Sequence, residues 1–465
     1  MFIGRNEELE FLEERLKSHR FEMLPIYGRR RVGKTRLLEE FIKGKKAIFF
    51  TADQRSETSN LSSLSWAITS VIFSEGSHLN FPSFQRAFEE VAEYARENKD
   101  PVIFIIDEYP YLAQTSEGLA SILQRTIDKK YLELSNLMLI LTGSQTSFME
   151  HQVMGYQSPL YGRRTGQIKL RPLNFNQARE FLPTMETKKF LTVYGITGGI
   201  PLYLSMMNDE LSLEDNIKRN LLTQNTLLYE EPRNLLLQEL RNPNRYNDIL
   251  VAIARGAKRL NEIVDQTDIE SGTLLKYIDT LVELDIVEKR MPIPKLSKQR
   301  GIYCIKDGFF HFWYRYVPRY KSFLESGRLN YIWPRIEEDL IQFTSLVFED
   351  YCRNWVLLND SPLVREVGSW WGNNPLIKNA TARAEEVDVV GLGLEKDEIV
   401  IGECKWRNEP TGLNVGEKLI QRADFFPYGK KELYIFSKSE FTNELKEYAM
   451  KNHIKLLTFE EMVGE

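Results

Sequence analysis

Along residues 1–170, short apolar runs alternate with stretches of amphipathic, helix-period pattern. Met23–Tyr27, Lys46–Thr51, Pro101–Ile106 and Leu137–Leu141 are runs of this kind. They lack the polar-every-second-residue pattern of a half-exposed sheet, so they predict strands buried on both faces. The helical stretches between them predict a parallel sheet covered by helices. Residues 171–241 read as mostly helical, broken at Gly198-Gly199-Ile200-Pro201. Asn242-Pro243-Asn244 marks a boundary. After it, 246–255, 259–267 and 271–284 read as helices, and strands at 286–291 and 301–305 flank a turn at 292–300. An aromatic segment, 307–340, leads into a last α/β unit, 341–465. The expected architecture is therefore multidomain α/β, divided into 1–170, 171–241, 242–306, 307–340 and 341–465. The length of 465 residues suits several domains better than one core.

Charge changes this picture little. The 61 basic and 66 acidic residues leave a formal net charge of −5, which gives no overall attraction to nucleic acid or anionic lipid. Cys304, Cys352 and Cys404 are the 3 cysteines, and their separation fits neither a disulfide framework nor a zinc site. The opening residues are charged and lack the apolar run of a signal peptide, and no stretch approaches a membrane-spanning length. A cytoplasmic protein without membrane partners is the expectation.

The most informative segment follows the first apolar run. Gly28-Arg29-Arg30-Arg31-Val32-Gly33-Lys34-Thr35 fits G-x-x-x-x-G-K-[ST], placed between a strand and the helix expected at Thr35–Lys43. Glycines let backbone close around phosphate oxygens, and the N–H groups at the helix start then face the anion. Lys34 is expected to reach the β- and γ-phosphates of ATP, and the Thr35 hydroxyl to ligand Mg²⁺. Arg29, Arg30, Arg31 and Arg36 crowd this loop; they either raise the local potential for nucleotide or pair with acidic helices. The run 102–106 ends in Asp107 and Glu108. Adjacent strand residues face opposite sides, so Asp107 is read as the Mg²⁺-side carboxylate and Glu108 as the group that orients or deprotonates water. Ser144, after 137–141, is the expected sensor of the γ-phosphate, with Thr142 and Gln145 as alternatives. A helix-capping role for these three is equally consistent with their position.

At this point a family resemblance becomes specific. Phe2-Ile3-Gly4-Arg5-Asn6-Glu7-Glu8-Leu9 resembles the adenine-side motif of AAA+ and STAND ATPases. Gly199-Ile200-Pro201 resembles the GxP motif of their helical lid. Ser158-Pro159-Leu160-Tyr161-Gly162-Arg163-Arg164-Thr165-Gly166 is similar to a hallmark of the archaeal-type ATPase branch. The resemblance implies a P-loop AAA+-like parallel sheet with a helical lid over 171–241, and it places Gly4, Arg5 and Pro201 against the nucleotide. It also offers Arg163 and Arg164 as the trigger for hydrolysis, from the same chain or from a neighbouring copy. The alternative for both arginines is a solvated basic turn.

The pattern over 242–306 is that of a winged helix-turn-helix. Its second helix would enter a DNA groove through Ser271, Thr273, Lys276, Tyr277, Asp279, Glu283 and Asp285, an acidic set that opposes phosphate contact. Lys295, Lys298 and Arg300 would supply a basic loop. In relatives of the ATPase class such domains also pack on the nucleotide module and report its state. Phe309, Phe310, Phe312, Trp313, Tyr314 and Tyr316 suit packing against a neighbouring domain better than base stacking.

In the last unit, strands at 386–391 and 398–406 set Glu403 and Lys405 on one face with Cys404 on the other, and Asp388 within reach. Glu349 lies on an upstream helix. E-x-K alone is uninformative, since it recurs at Glu97–Lys99, Glu186–Lys188 and Glu444–Lys446. The paired strands add the specificity, although Val387 stands where the motif's name has proline. The constellation resembles the PD-(D/E)XK core, implying a restriction-endonuclease-like fold. The same resemblance makes Asp388 and Glu403 Mg²⁺ ligands, Lys405 the catalytic cation, Glu349 an accessory acid and Gln421 a supporting residue. Its alternative is a domain that kept the fold and lost the metal. Two functional readings follow. One is an ATP- and Mg²⁺-dependent ATPase gating a nuclease that acts on DNA or RNA. The other is a STAND-like switch or scaffold that binds ATP or ADP and assembles with itself or a partner protein.

Overall fold

The computed structural model describes residues 2–73, 79–240, 242–295, 301–358, 363–376 and 384–464, in two compact units. Unit one comprises Met1–Phe181 and Gly199–Ser205; unit two comprises Leu182–Gly198 and Met206–Glu465. The boundaries expected at 170/171 and 241/242 therefore fall inside compact units. The short Gly199–Ser205 segment returns to unit one.

Unit one runs α1 (Asn6–Leu16), β1 (Glu22–Tyr27), α2 (Lys34–Phe41), β2 (Ala47–Thr51), α3 (Glu57–Ile72), α4 (Phe84–Glu97), β3 (Val102–Asp107), α5 (Tyr109–Thr115), α6 (Leu119–Thr126), β4 (Leu137–Gly143), α7 (Thr146–Phe148), β5 (Ile168–Lys169) and α8 (Phe175–Arg179). The strands pair in parallel in the order β2-β3-β4-β1-β5. Every residue of β1, β3 and β4 is buried, as their unbroken apolar runs require. Pro25 is tolerated in β1 because β5 pairs only with Ile26 and Tyr27, so no ladder partner awaits its missing N–H. Helix α4 shows how the covering layer forms. Ser83 accepts a hydrogen bond from the Arg86 N–H at its start, and Phe84, Ala87, Phe88, Val91, Ala92 and Ala95 bury one face.

Unit two continues with α9 (Thr187–Thr197), then, after α10 (Pro201–Leu204) of unit one, α11 (Leu213–Asn220), α12 (Leu227–Glu239), α13 (Pro243–Ala254), α14 (Leu260–Thr267), α15 (Ser271–Glu283), β6 (Val287–Arg290), β7 (Ile302–Ile305), α16 (Gly308–Glu325), α17 (Leu329–Leu358), β8 (Val364–Asn373), β9 (Ala384–Gly393), β10 (Glu398–Lys405), α18 (Leu413–Ala423), β11 (Lys430–Ser437), α19 (Asn443–Lys451), β12 (Ile454–Thr458) and α20 (Phe459–Val463). A mixed sheet, β12-β11-β10-β9-β8, forms its C-terminal part, with β9 antiparallel to both β8 and β10 and the rest parallel. Helices α13–α15 precede an antiparallel β6–β7 hairpin. Ile293, just beyond β6, donates its N–H to the Ser369 carbonyl on edge strand β8 at 3.0 Å, so the hairpin is fastened to the C-terminal sheet. Lys298 and Arg300 lie outside the described residues.

Helix α16 packs Phe309, Phe310, Phe312, Tyr314 and Tyr316 inward, each no more than 3 % exposed. These rings are core and are not available for base stacking. Among the described residues, no helix is long and apolar enough to cross a membrane.

Candidate functional site

The loop after β1 is shaped by two glycines. Gly28 (φ +153°) lies so close to the next strand that an added Cβ would stand 2.2 Å from the Leu170 carbonyl oxygen. Gly33 caps α2 at φ +94°, a conformation that costs glycine nothing. Lys34, only 6 % exposed, donates to the carbonyls of Gly28 (3.0 Å) and Arg29 (3.2 Å), folding back over the loop it belongs to. Arg5 braces the loop from outside, donating to the carbonyls of Val32 (3.1 Å) and Arg171 (2.7 Å) and pairing with Glu8. Burial holds its pKa below the ordinary value, against the pull of Glu8. Gly4 (φ +65°) packs on Gln177 and Leu173, and Pro201 of α10 stands 4.0 Å from the Cβ position of Gly33. The two lid- and adenine-side motifs thus meet the phosphate loop within unit one.

The carboxylates take separate roles through backbone geometry. Asp107 ends β3, and its Oδ2 accepts from the Thr35 hydroxyl at 3.1 Å, while Thr142 donates to Oδ1. Burial pushes the Asp107 pKa up, and the neighbouring Glu108 adds to the shift. Glu108 itself adopts φ +53°, unusual for a residue with a side chain, and so turns its carboxylate away from that of Asp107. There both oxygens accept from the Ser144 hydroxyl (2.6 and 2.7 Å), and the Ser144 N–H adds a third bond at 3.1 Å. Thr142 also receives the Glu108 N–H at 3.2 Å. Gln145 pairs with Gln114 instead. The loop fits ATP with Mg²⁺: its glycines leave room for phosphate oxygens, and a hydroxyl and a carboxylate, both oxygen ligands suited to Mg²⁺, stand together at its end.

The arginines divide. Arg30 donates to the Tyr111 hydroxyl on α5. Arg29 and Arg31 lie in the loop itself. Arg36 pairs with Glu39 at 3.0 Å on an exposed helix face, so it serves the helix surface. Arg163 makes a two-pronged pair with Asp128, both bonds 2.7 Å, and Arg164 donates to Gln167. The adjacent Thr165 donates to the Met23 carbonyl, near the start of β1. The phosphate loop follows the other end of that strand, roughly 15 Å away at 3.3 Å per residue. Arg163 is thus committed to Asp128, while the Arg164 charge is still felt by Tyr27, the residue before the loop.

Unit two brings together a second set. Glu403 on β10 is 2 % exposed, and Lys405 donates to its Oε2 at 3.1 Å. The same ammonium stands 3.9 Å from Asp388 on β9, whose Oδ2 accepts the Cys404 N–H at 2.8 Å. Glu349 on α17 faces Asp388. Burial raises the pKa of both, with Asp388 adding to the rise at Glu349 and Glu403 to the rise at Asp388. For Lys405 burial opposes the charge, but Glu403 and Asp388 outweigh it and hold the pKa above the ordinary value. Two participants were not legible as such in the sequence. Arg353 donates to the Asp388 carbonyl (2.6 Å) and pairs with Asp350, which also meets Arg290 of β6. Arg422 on α18 pairs with Glu403 Oε1 and with Glu385 at 3.1 Å. The expected Gln421 is exposed and does not take part. Both Glu403 oxygens are therefore held by cations, and among the described residues no group of three or more His, Cys, Asp or Glu side chains is arranged to hold a metal. Glu403 as it stands, with a cation on each oxygen, does not fit Mg²⁺.

Comparison with known proteins places these sites in context. Residues 2–207 match the family described as an ATPase domain predominantly from Archaea, and residues 313–418 match one described as archaeal and bacterial proteins of unknown function. An uncharacterized protein of Methanocaldococcus jannaschii is 31% identical over 423 residues, covering 88% of each chain. An uncharacterized ATP-binding protein of the same organism is 50% identical over 46 residues, 10% of this chain and 78% of its own. Among solved structures, a Walker-type ATPase of Pyrococcus abyssi superposes with TM-score 0.52 at 24% identity, over 68% of this chain and 96% of that one, a likeness of fold.

Proposed function

We propose, on the premise that the chain belongs to the archaeal-type P-loop ATPase family, that it binds ATP with Mg²⁺ at Gly28–Thr35 and hydrolyses it. The observation that carries this reading is the convergence of Lys34, Thr35 and Asp107 on one loop, with Thr35 and Asp107 in contact at 3.1 Å. Mg²⁺ bound there supplies neutralising charge to the phosphates. Lys34 leaves its two loop carbonyls to pair with phosphate oxygens, which exchanges neutral acceptors for charged ones. Glu108, once released from Ser144, orients the attacking water and accepts its proton. Steady-state ATP turnover with Mg²⁺, in wild type and Lys34→Ala, tests this. Equal turnover in the two proteins overturns it.

Around that activity we favour a STAND-like switch. The hairpin β6–β7 supports it, because Ile293 and Arg290 engage β8 and α17 in place of a ligand. The exposed face of α15, with Asp279 and Glu283 beside Lys276, is poorly suited to DNA phosphates. Arg163 and Arg164 act in this reading from a neighbouring copy. Size measurements in ATP and in ADP test it, and an unchanged monomer in both rejects it. The nuclease reading keeps one favourable observation, the meeting of Asp388, Glu403 and Lys405. Cleavage of DNA or RNA that disappears in Asp388→Ala would establish it.

A further inference from the structure

The C-terminal acidic centre carries its own counter-cations at the places a divalent ion would need. Lys405 Nζ lies between the two carboxylates, 3.1 Å from Glu403 and 3.9 Å from Asp388. Arg422 takes the remaining Glu403 oxygen and is anchored a second time by Glu385. Its position on α18 is the reason it arrives there. Val415, Leu419 and Arg422 follow one another on the buried face of that helix, so the guanidinium enters the sheet side with the apolar residues, at 8 % exposure. A guanidinium so buried needs carboxylate partners, and a carboxylate as buried as Glu403 needs cations. Mg²⁺ demands oxygen ligands at about 2.0–2.1 Å, and the two cations already seated on Glu403 repel a further positive ion there.

We propose that Lys405 and Arg422 stand in for the divalent cation, so that the centre is self-neutralised and closed to metal in its resting state. This deepens the nuclease-like reading of the same residues and is independent of the ATP site. The four residues divide the labour. Asp388 and Glu403 provide charge; Lys405, 28 % exposed at its side chain, is the mobile cation, and Arg422 is the fixed one. A consequence is that metal binds more tightly as each cation is removed or drawn away, for instance by an anionic substrate that recruits them, and most tightly when both are gone.

The test is Mn²⁺ binding to the full chain without nucleotide, followed by loss of the free-ion electron paramagnetic resonance signal. The proteins are wild type, Arg422→Gln, Arg422→Gln/Lys405→Gln, and the last with Asp388→Asn added. Binding near the phosphate loop is common to all of them and subtracts. The double variant is expected to gain a site at least about tenfold tighter than any in wild type, with Arg422→Gln intermediate and Asp388→Asn abolishing the gain. Circular dichroism with Arg422→Lys, which keeps the charge and should bind Mn²⁺ no better than wild type, separates unlocking from unfolding. Asp388-dependent binding in wild type as tight as in the double variant overturns the lock while sparing the metal-dependent nuclease reading. A folded double variant that gains nothing overturns both.

Discussion

Substituting Gly28 by alanine is the sharpest probe of the phosphate loop, because two separate penalties can be read from its geometry. An alanine Cβ would stand 2.2 Å from the Leu170 oxygen and 3.2 Å from its carbonyl carbon, both backbone atoms. Leu170 cannot retreat freely, since its N–H donates to the Tyr27 carbonyl at 2.7 Å, one residue before the loop. A contact that close must open by about 1 Å, and a displacement of that size at a phosphoryl-transfer site costs on the order of 100-fold in rate. The φ of +153° adds a conformational cost of roughly 1–2 kcal/mol for a residue with a side chain. Gly44 provides the control: it has φ +71° but nothing within 4 Å of its Cβ position. Gly44→Ala should therefore lose roughly 1 kcal/mol of stability with turnover near wild type. The assays are Mg-ATP turnover and binding of a fluorescent ATP analogue, each paired with a melting curve. If Gly28→Ala bound nucleotide and turned it over like Gly44→Ala, the placement of ATP at this loop would be wrong.

Lys34→Ala should weaken ATP binding by roughly 10- to 100-fold, the worth of a charge-assisted bond or two, as measured by equilibrium fluorescence titration. Glu108→Gln should keep ATP affinity within a few-fold while lowering turnover by about 10² or more. Ser144→Ala frees the Glu108 carboxylate from the hydroxyl bonds of 2.6 and 2.7 Å, so single-turnover hydrolysis should change with little effect on binding; identical kinetics in wild type and variant would leave Ser144 with no part in the reaction. His311 supplies a pH test. Burial, with Arg315 second, depresses its pKa to about 4, so below about 6.5 the unfolded chain takes up a proton that the folded chain refuses. Stability should therefore rise with pH between about 4 and 6.5, by about 3 kcal/mol in all. Denaturant melts of wild type and His311→Gln check this, the variant showing the flatter profile.

How far the sequence revealed this molecule depends on whether each feature is local. The strands β1, β3 and β4 were legible because burial on both faces leaves them mostly apolar; edge strand β2, which alternates half-buried and buried positions, was legible from its short apolar run alone, and Ala47–Thr51 or Leu137–Gly143 differ from expectation only at their ends. The hairpin and its three preceding helices were legible from periodicity and turn residues alone. The division into two units was not, because it depends on which surfaces pack together, and a return such as Gly199–Ser205 to the first unit leaves no compositional mark. The phosphate loop is local in the same sense as a strand: its glycines, lysine and threonine all fall within Gly28–Thr35, at the spacing the chemistry requires.

The C-terminal centre shows where such locality ends. Asp388, Glu403 and Lys405 were legible since strand alternation places them; Arg422 was passed over in favour of Gln421, its exposed neighbour. The missed signal was a charged residue in phase with Val415 and Leu419 on an apolar helix face. An arginine there must bury its guanidinium, and it can do so only against carboxylates already committed to the core. The two arginines at 163–164 show the same limit of reading by residue type. Residue type identifies a guanidinium as able to stabilise a phosphoryl transition state, whereas what these two can reach depends on a backbone that the pairing of Thr165 with Met23 fixes. A sequence motif specifies chemistry, and backbone register specifies distance. In this chain the register brings Asp107 to Thr35 at the end of the phosphate loop, a loop that carries Arg29, Arg30 and Arg31 within it, and sets the backbone of Thr165 beside the start of β1.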